Sequence, residues 1–319
     1  MKKILVTGGA GFIGSHLVKR LTEQGNYVTV LDNLLRGNKL EKHILNSVRF
    51  VKGDVRDFET VKAVSKGCEL IYHFAAVLGV DVVADNPVET METEIIGMKN
   101  ISDSAILFGT EKIIYASTSG VYGHSAINQS VTENIQIDPR TSYAIAKRYN
   151  EIYLAALHEE KGLQSVSLRF FNVYGIGQDN RMVVPRFFEQ ALLNNSITVY
   201  GNGKQTRDFT YIEDTVNACV LTAEKVKGCE IFNVANEEEK TIMDLAKEIK
   251  AITKTQSEIT LIEAPKKRYD FEVERRMGNS EKLFYAVGSK PSTSLSKGLK
   301  IISNHFKNES KSQLVKQRG

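Results

Sequence analysis

The chain has 319 residues, of which 42% are hydrophobic and 25% are charged, and these proportions are typical of a folded globular protein. Its formal net charge of +4 comes without a basic stripe along any one element, which argues against a nucleic-acid partner. No apolar run approaches the ~18 residues of a membrane span, and three scattered cysteines predict neither a disulfide framework nor a metal site. We therefore expect a cytoplasmic protein with no metal, nucleic-acid or membrane partner.

Predicted strands and helices alternate through the first half of the chain. The predicted strands cover residues 3–7, 27–31, 48–51, 69–73 and 112–117, and the two longest helical patterns cover 87–108 and 141–160. Strands that alternate with helices are joined by right-handed crossovers and form a parallel sheet covered on both faces. The predicted fold class is therefore α/β, with a doubly wound parallel (Rossmann) sheet.

The second half of the chain is predicted to form shorter elements. They are helices at 184–193, 241–253 and 295–306 and a strand at 197–200. A helix–strand pattern at 214–225 and 231–234 predicts a return to the main sheet. We expect two interleaved units: a larger domain of residues 1–171, to which residues 207–234 return, and a smaller α/β lobe that occupies most of 172–319.

A glycine-rich turn lies between the first predicted strand and the first predicted helix. Gly8, Gly11 and Gly14 have the spacing GxxGxxG, which lets the backbone approach a pyrophosphate at the positive end of the helix. Asp32 ends the second predicted strand, where a carboxylate binds both ribose hydroxyls and repels a 2′-phosphate. The pattern predicts a dinucleotide site that prefers NAD to NADP. A helix-capping role for Asp32 remains an alternative, and Arg36 nearby weakens the exclusion of NADP.

A second pattern concerns Tyr143 and Lys147, which are four residues apart in a predicted helix and so share one face. An adjacent ammonium favours the phenolate and brings the pKa of a tyrosine toward neutral pH. A hydroxyl-rich segment, residues 116–123, follows a predicted strand at the edge where doubly wound sheets bind ligands. Together with the glycine turn, these features predict a catalytic pair rather than two surface residues.

These motifs together resemble the extended short-chain dehydrogenase/reductases, in particular the NAD-dependent nucleotide-sugar epimerase/dehydratase group. The resemblance covers nearly the whole chain and rests on residues 7–14, 32–33, 53–55, 73–76, 117–123, 143–147, 169–175 and 205–211. It implies that residues 1–171 bind NAD and that the smaller lobe binds a nucleoside-diphosphate sugar, most simply a UDP-sugar.

The resemblance also implies roles for individual residues. Tyr143 would be the acid/base, Lys147 would lower its pKa and bind the nicotinamide ribose, and Thr118 would hydrogen-bond the reacting oxygen. The other NAD contacts would be Gly8, Gly11, Phe12, Ile13, Gly14, Asp32, Asn33, Asp54, Val55, Phe74, Ala75, Ala76, Ser117, Phe170 and Val173. The substrate contacts would be Val80, Thr118, Ser119, Asn172, Val183, Tyr200, Arg207, Arg268 and Arg276.

Some of these roles leave alternatives open. Arg207 would grip the diphosphate with its fork of donors, and a surface ion pair is the alternative. For Tyr200, packing between the lobes competes with a role in substrate choice. The choice of a further phosphate contact within the cluster of Lys267, Arg268, Arg275 and Arg276 stays open.

The residues beside Thr118 distinguish the reactions of this group. In sugar 4,6-dehydratases an Asp-Glu pair follows this threonine. In UDP-glucuronate decarboxylases the second residue after the threonine is usually Glu. This chain has Ser119 and Gly120 instead. The resemblance therefore implies a UDP-hexose 4-epimerase that acts through a transient 4-keto sugar. A dehydratase or decarboxylase is the alternative, and a non-catalytic NAD-binding sensor is a remote one.

The sequence departs from the family pattern at two positions, Glu94 and Ser289. Glu94 stands where the family often has Asn in its long helix and can alter the cofactor site. Ser289 stands where the family has Trp, a change expected to affect only packing. The helical patterns at 87–108 and 141–160 resemble those that pair two subunits of this family into a four-helix bundle, which implies a homodimer.

Overall fold

The computed structural model describes residues 1–77, 80–127, 129–263 and 273–316. Its strands are β1 (Lys3–Thr7), β2 (Tyr27–Asp32), β3 (Arg49–Lys52), β4 (Leu70–His73), β5 (Lys112–Thr118), β6 (Gln164–Phe170), β7 (Val173–Tyr174), β8 (Ile197–Tyr200), β9 (Thr206–Asp208), β10 (Thr210–Tyr211), β11 (Cys229–Val234), β12 (Glu239–Thr241), β13 (Ile259–Ile262) and β14 (Arg275–Arg276). Its α-helices are α1 (Phe12–Glu23), α2 (Lys42–Leu45), α3 (Phe58–Ser65), α4 (Val80–Asp85), α5 (Pro87–Phe108), α6 (Ser142–Lys161), α7 (Val183–Leu192), α8 (Ile212–Lys225), α9 (Ile242–Thr253), α10 (Glu281–Val287) and α11 (Leu295–Lys316). A 3-10 helical segment covers Ser119–Ala126.

The main sheet has seven strands in the order β11-β6-β5-β4-β1-β2-β3, and every neighbouring pair is parallel. Successive side chains of a strand point to opposite faces, and β1 shows the result. Ile4 and Val6 pack into one hydrophobic core with α1 and α8, whereas Leu5 packs into a second core with α3, α5 and α6. This arrangement confirms the predicted doubly wound α/β fold.

Most predicted elements have nearly the predicted bounds. Strand β1 and helix α5 begin and end at the predicted residues, and α6 begins one residue late because the hydroxyl of Thr141 caps it by accepting from the N–H of Ala144. Strand β6 has no counterpart among the predicted strands. Its buried polar side chains, Ser165, Ser167 and Arg169, interrupt the apolar pattern by which a central strand is normally found.

The second half of the chain forms three small sheets and also contributes one strand to the main sheet. The small sheets are β10–β7, β13–β8 and β12–β9–β14. Helix α8 packs against α1, and β11 then pairs with β6, so these two elements occupy the predicted helix–strand pattern. The boundary between a domain of residues 1–171 and a lobe of 172–319 stays a prediction. Within the described ranges, no helix combines the length and the apolar composition needed to cross a bilayer.

The acidic run that begins at Glu237 starts in a loop and continues into β12. Glu237 has a φ of 63°, and its carboxylate accepts from the backbone N–H of Ser280 and pairs with Lys290. Glu239 begins β12 and pairs with Arg275 on β14, which lies on the other side of β9 in the small sheet. The run therefore ties the C-terminal segments together.

Candidate active site

A cleft of about 680 Å³ opens at the carboxyl ends of the central strands, a size typical of small-molecule sites. Asp32, Phe74, Thr118 and Phe170, which end or follow β2, β4, β5 and β6, all line it. The opposite wall comes from the second half of the chain, with Met182, Val183, Phe209, Val273 and Arg276. The cleft thus lies where a doubly wound sheet is expected to bind ligands.

The glycine turn forms one end of this cleft. Gly8 has a φ of +68°, and a Cβ atom there would lie 2.6 Å from the backbone nitrogen of Ala75. A Cβ at Gly14 would lie only 2.1 Å from the carbonyl oxygen of Gly8. Glycine at these positions lets β1, α1 and the segment after β4 approach one another closely. Gly11, Phe12 and Ile13 line the same end of the cleft.

The N terminus of α1 is suited to an anionic ligand. Among the described residues, no side chain caps it, since the N-cap is Gly11. The first N–H groups of a helix have no partners within the helix and carry the positive end of its dipole. With the close approach at Gly8 and Gly14, this end of the cleft fits the pyrophosphate of a dinucleotide.

Asp32 stands at the ribose end of the predicted cofactor site. Its carboxylate oxygens accept hydrogen bonds from the backbone N–H groups of Ala10 (2.9 Å) and Leu34 (2.8 Å), and burial raises its pKa. Asp32 therefore braces the glycine turn while lining the cleft beside Asn33 and Arg36. The alternative of a helix cap is not what the geometry shows, because Ala10 and Leu34 both lie outside helices.

Asp54 and Val55 lie at the predicted adenine end, after β3. Arg56 donates to both oxygens of Asp54, from Nε at 3.0 Å and from Nη2 at 2.7 Å, and this contact holds the pKa of the carboxyl below its usual range. Val55 is buried and contacts α5 at Gly97, where a Cβ would come within 2.8 Å of a Val55 methyl group.

The segment after β4 is held against the glycine turn. The hydroxyl oxygen of Thr7 accepts from the N–H groups of Phe74 (3.2 Å) and Ala75 (3.3 Å). Phe74 also packs edge to face against Phe170, with ring centroids 6.0 Å apart. The predicted cofactor contacts Phe74, Ala75, Ala76, Phe170 and Val173 all line the cleft.

The predicted catalytic residues meet in this cleft. Tyr143 and Lys147 project from α6, with the Lys147 ammonium 5.3 Å from the centre of the Tyr143 ring. The hydroxyl oxygen of Thr118 accepts from the N–H of Gly120 at 3.0 Å, so its own hydrogen can be donated to a ligand. Burial and the charge of Glu94 raise the pKa of Tyr143.

Glu94 lies directly behind the catalytic pair. Its Oε2 is 2.9 Å from the ammonium of Lys147, and both side chains are buried. The hydroxyl of Tyr115 donates to the same oxygen at 3.2 Å, and Asn150 donates to that hydroxyl at 2.8 Å. Glu94 contacts Lys147 and is not among the described residues that line the cleft, so an effect of Glu94 on the cofactor site stays a prediction.

A neutral histidine adjoins the same buried layer. Nδ1 of His73 is 2.8 Å from the hydroxyl of Thr7, and the imidazole stacks on Tyr115 with centroids 5.8 Å apart. Burial, with a smaller effect from Lys147, lowers the pKa of His73 to about 3. His73 therefore adds no charge to the catalytic region at neutral pH.

Ser117 lines the cleft, but its hydroxyl points into the scaffold. It donates to Glu151 at 2.6 Å, and Glu151 is also bound by Arg169 from β6. The side chain that the resemblance assigned to the cofactor thus helps hold α6 against the sheet.

The predicted substrate contacts divide into three groups. Thr118, Ser119, Asn172, Val183 and Arg276 line the cleft, and the buried Oδ1 of Asn172 has no hydrogen-bond partner among the described residues. Tyr200 and Arg207 are not among the described lining residues: the Tyr200 ring packs on Arg186, and Arg207 is buried in β9 beside Arg276. The side chain of Val80 and the whole of Arg268 lie outside the described part of the chain.

Three arginines of the cleft were missed by the sequence analysis. Arg56, Arg140 and Arg181 each follow an aspartate by two residues, and each binds that aspartate. All three line the cleft. The available signal was the Asp-x-Arg spacing, which recurs in three separate loops and brings a carboxylate within hydrogen-bond distance of each guanidinium.

The comparisons with known proteins agree with this geometry. Residues 4–235 match the profile of a family described as NAD dependent epimerase/dehydratase. A UDP-N-acetyl-α-D-glucosaminuronate decarboxylase of Bacillus cytotoxicus is 37% identical over 267 residues, 81% of this chain and 82% of that protein. The crystal structure of UDP-glucose 4-epimerase from Thermotoga maritima with UDP-glucose has 33% identity and a TM-score of 0.89, over 96% of this chain and 99% of its own. The Thermus thermophilus UDP-glucose 4-epimerase complex with NAD has 32% identity and a TM-score of 0.87, with 96% and 99% covered.

Proposed function

The chain belongs to the NAD-dependent epimerase/dehydratase family, and on that premise we propose that it is a nucleoside-diphosphate-sugar epimerase, acting at C4 of a UDP-hexose. Its cofactor is NAD, and its family includes enzymes that epimerise, dehydrate or decarboxylate nucleotide sugars. The observation that carries the finer assignment is the absence of a carboxylate at the two residues after Thr118, which are Ser119 and Gly120.

The residues of the cleft divide the proposed reaction between them. NAD, when bound, supplies a nicotinamide that accepts a hydride from C4 and returns it. Tyr143 removes the proton of the 4-hydroxyl and later gives it back, while Lys147 holds a positive charge beside the phenol. Thr118 donates its hydroxyl hydrogen to the same sugar oxygen, because its oxygen already accepts from Gly120.

The position of Gly120 makes the missing carboxylate informative. A Cβ there would lie 3.3 Å from Oγ1 of Thr118 and 3.6 Å from Cβ of Ala144. A longer side chain at this position would therefore begin between the two catalytic segments. Elimination of water needs an acid and a base in that place, whereas epimerisation needs only rotation of the 4-keto sugar before the hydride returns.

The diphosphate of the substrate is assigned to the outer wall of the cleft. Asn172 offers side-chain polar atoms there, and Arg181 and Arg276 offer guanidinium groups. Arginine is suited to phosphate because its fork of donors matches two oxygens at once.

Decarboxylation of a UDP-uronic acid is the second candidate. Arg140, three residues before Tyr143, lines the cleft with its side chain 52% exposed, and an arginine in that place is suited to a carboxylate at C6. A 4-keto uronic acid is a β-keto acid, so the electron pair of its C5–C6 bond passes into the 4-ketone as carbon dioxide leaves. The resulting enolate then takes a proton from water at C5, and the loss of carbon dioxide itself needs no further protein base. The absence of a carboxylate at Gly120 therefore argues more strongly against elimination than against this reaction.

We also propose that the protein forms a homodimer through α5 and α6. Ile145, Tyr149 and Ile152 are spaced along one face of α6 and are each more than two-fifths exposed. Val88, Ile96 and Leu107 of the adjacent α5 are exposed as well. Apolar side chains at helical spacing on two packed helices favour burial against a second copy.

The test is incubation of the purified protein with UDP-, dTDP-, GDP- and CDP-sugars, including UDP-uronic acids, with products analysed by chromatography and mass spectrometry. A new product of unchanged mass supports epimerisation and identifies the sugar. Loss of carbon dioxide, abolished by Arg140→Gln, supports the second candidate instead. Loss of water contradicts both, and no turnover of any sugar favours the non-catalytic sensor.

A further inference from the structure

The ion pair between Glu94 and Lys147 is almost completely shielded from solvent. The side chains are 0% and 1% exposed, and the carboxylate and ammonium are 2.9 Å apart. Lys147 also lies over two aromatic rings, 4.7 Å from the centre of Tyr115 and 5.3 Å from that of Tyr143. The lysine assigned to Tyr143 is therefore shared with a buried carboxylate.

Hydrogen bonds hold Oε2 and the backbone of Glu94, whereas Oε1 has no hydrogen-bond partner among the described residues. Tyr115 donates to Oε2, Asn150 donates to the Tyr115 hydroxyl, and Asn150 also donates to the backbone oxygen of Glu94 at 3.0 Å. These contacts come from β5 and α6, which both pack against α5. Glu94 cannot turn away from Lys147 without breaking a buried network, which is costly at low dielectric.

The other titratable groups near Lys147 do not replace this carboxylate. His73 on β4 is buried and neutral at working pH, and Tyr115 on β5 holds its proton because burial raises its pKa. Glu151, one turn further along α6, is bound by Arg148 and by Arg169. Among the described residues, Glu94 is thus the charge closest to the Lys147 ammonium.

We propose that Glu94 is a positioning residue that cancels the charge of Lys147 at the face of Tyr143 and so sets the pH at which Tyr143 loses its proton. This proposal rests on the proposed function in one respect, the role of Tyr143 as acid/base. An isolated ammonium beside a phenol favours the phenolate. Because Glu94 adds an opposite charge at ion-pair distance, Tyr143 experiences only the difference of the two fields.

With Glu94 present, Tyr143 therefore stays protonated to a higher pH than it would without this charge, and its phenolate is a stronger base. The family often has an uncharged amide, Asn, at the position of Glu94. With such a residue, no nearby carboxylate would offset the effect of the Lys147 charge on the pKa of Tyr143. A purely structural role of Glu94 predicts a change in stability alone. The two readings differ in the titration of Tyr143.

The experiment is an ultraviolet titration of phenolate absorbance in the NAD-loaded protein. The difference between each variant and the same variant carrying Tyr143→Phe isolates Tyr143 from the other tyrosines, and it requires no substrate. In Glu94→Gln we expect the midpoint to fall by about one pH unit or more, a tenfold or larger rise in the ionisation constant. A midpoint equal to or above that of the wild type overturns the proposal.

Tyr115→Phe is the matched control, because it disturbs the same buried network but leaves the charge. Its midpoint is expected to stay or to rise, and a fall as large as that of Glu94→Gln overturns the proposal. If Glu94→Gln does not fold, Glu94→Asp is used instead. Its side chain is one methylene shorter, so the carboxylate lies further from Lys147 and the midpoint of the Tyr143 titration must fall. Should Tyr143→Phe retain turnover, the proposed function fails, while the titration still reports on the ion pair.

Discussion

Arg169 donates to both carboxylate oxygens of Glu151, at 2.9 and 2.8 Å, and both side chains are almost fully buried. The pair joins β6 to α6, the helix that carries Tyr143 and Lys147. Ser117 donates to the same carboxylate from β5. A single buried anion thus fixes the catalytic helix against two central strands.

Removal of Arg169 is predicted to be severely destabilising. Arg169→Met leaves Glu151 buried without its main partner, and the loss of one partner of a buried pair typically costs about 3–5 kcal/mol of unfolding free energy. Arg148→Met is the control, since Arg148 contacts Glu151 from a partly exposed position and should cost less than about 1 kcal/mol. Denaturant unfolding measures both, and equal losses would contradict this account.

Tyr143→Phe is predicted to bind NAD as the wild type does, because the phenyl ring retains the packing. Its turnover on the substrate found in the sugar panel should fall by roughly 10²–10⁴, the usual contribution of a positioned acid/base. Calorimetric titration with NAD and product formation by chromatography give the two readouts. Unchanged turnover would remove Tyr143 from the mechanism.

Asp32 is predicted to control the choice of cofactor. Asp32→Ala removes a carboxylate that braces the glycine turn and faces the predicted ribose position, so NAD affinity should fall about tenfold or more. The ratio of NADP to NAD affinity should rise at the same time. Asn33→Ala, which changes a neutral neighbour in the cleft, should leave that ratio unaltered. Equal affinity of the wild type for both cofactors is the result that would defeat the argument.

Ile152 is predicted to be buried when two copies associate. Ile152→Glu places a charge in the apolar face of α6 and should convert a dimer into a monomer, as measured by light scattering coupled to size-exclusion chromatography. Leu193→Glu is the matched control, because Leu193 is similarly exposed, at the end of α7. A monomeric wild type at working concentration would refute the dimer.

Asp208 is predicted to make stability depend on pH. It is fully buried, accepts from the backbone N–H groups of Asn236 and Glu237, and has a pKa raised to about 7 by burial, against 3.8 ordinarily. The folded state therefore keeps a proton that the unfolded state releases. This contribution is complete below about pH 4 and is lost as the pH rises toward 7, by at most about 1.4 kcal/mol per pH unit.

The check is the free energy of unfolding between about pH 4 and about pH 8, compared with Asp208→Asn. The asparagine variant lacks the proton equilibrium, so its curve should be flatter over this range. Parallel curves for the two proteins would show that Asp208 is ionised throughout.

The sequence predicts features that depend on local backbone geometry better than those that depend on distant partners. Gly8 and Gly14 reveal the dinucleotide turn because spacing within one loop sets their close approach. Arg207 is not among the described residues that line the cleft. It lies in β9, which pairs with β14, a strand far along the chain that local spacing does not reveal. Glu94 could be singled out by its position, but its contact with Lys147 requires two helices to pack.

The pairing of β11 with β6 has a consequence for synthesis of the chain. Val166 and Leu168 of β6 are fully buried in the finished sheet, yet the ribosome makes β6 well before residues 229–234 can cover its edge. An unpaired apolar edge is a template for association with other chains. The stretch that completes the sheet therefore also removes one exposed strand edge from the nascent protein.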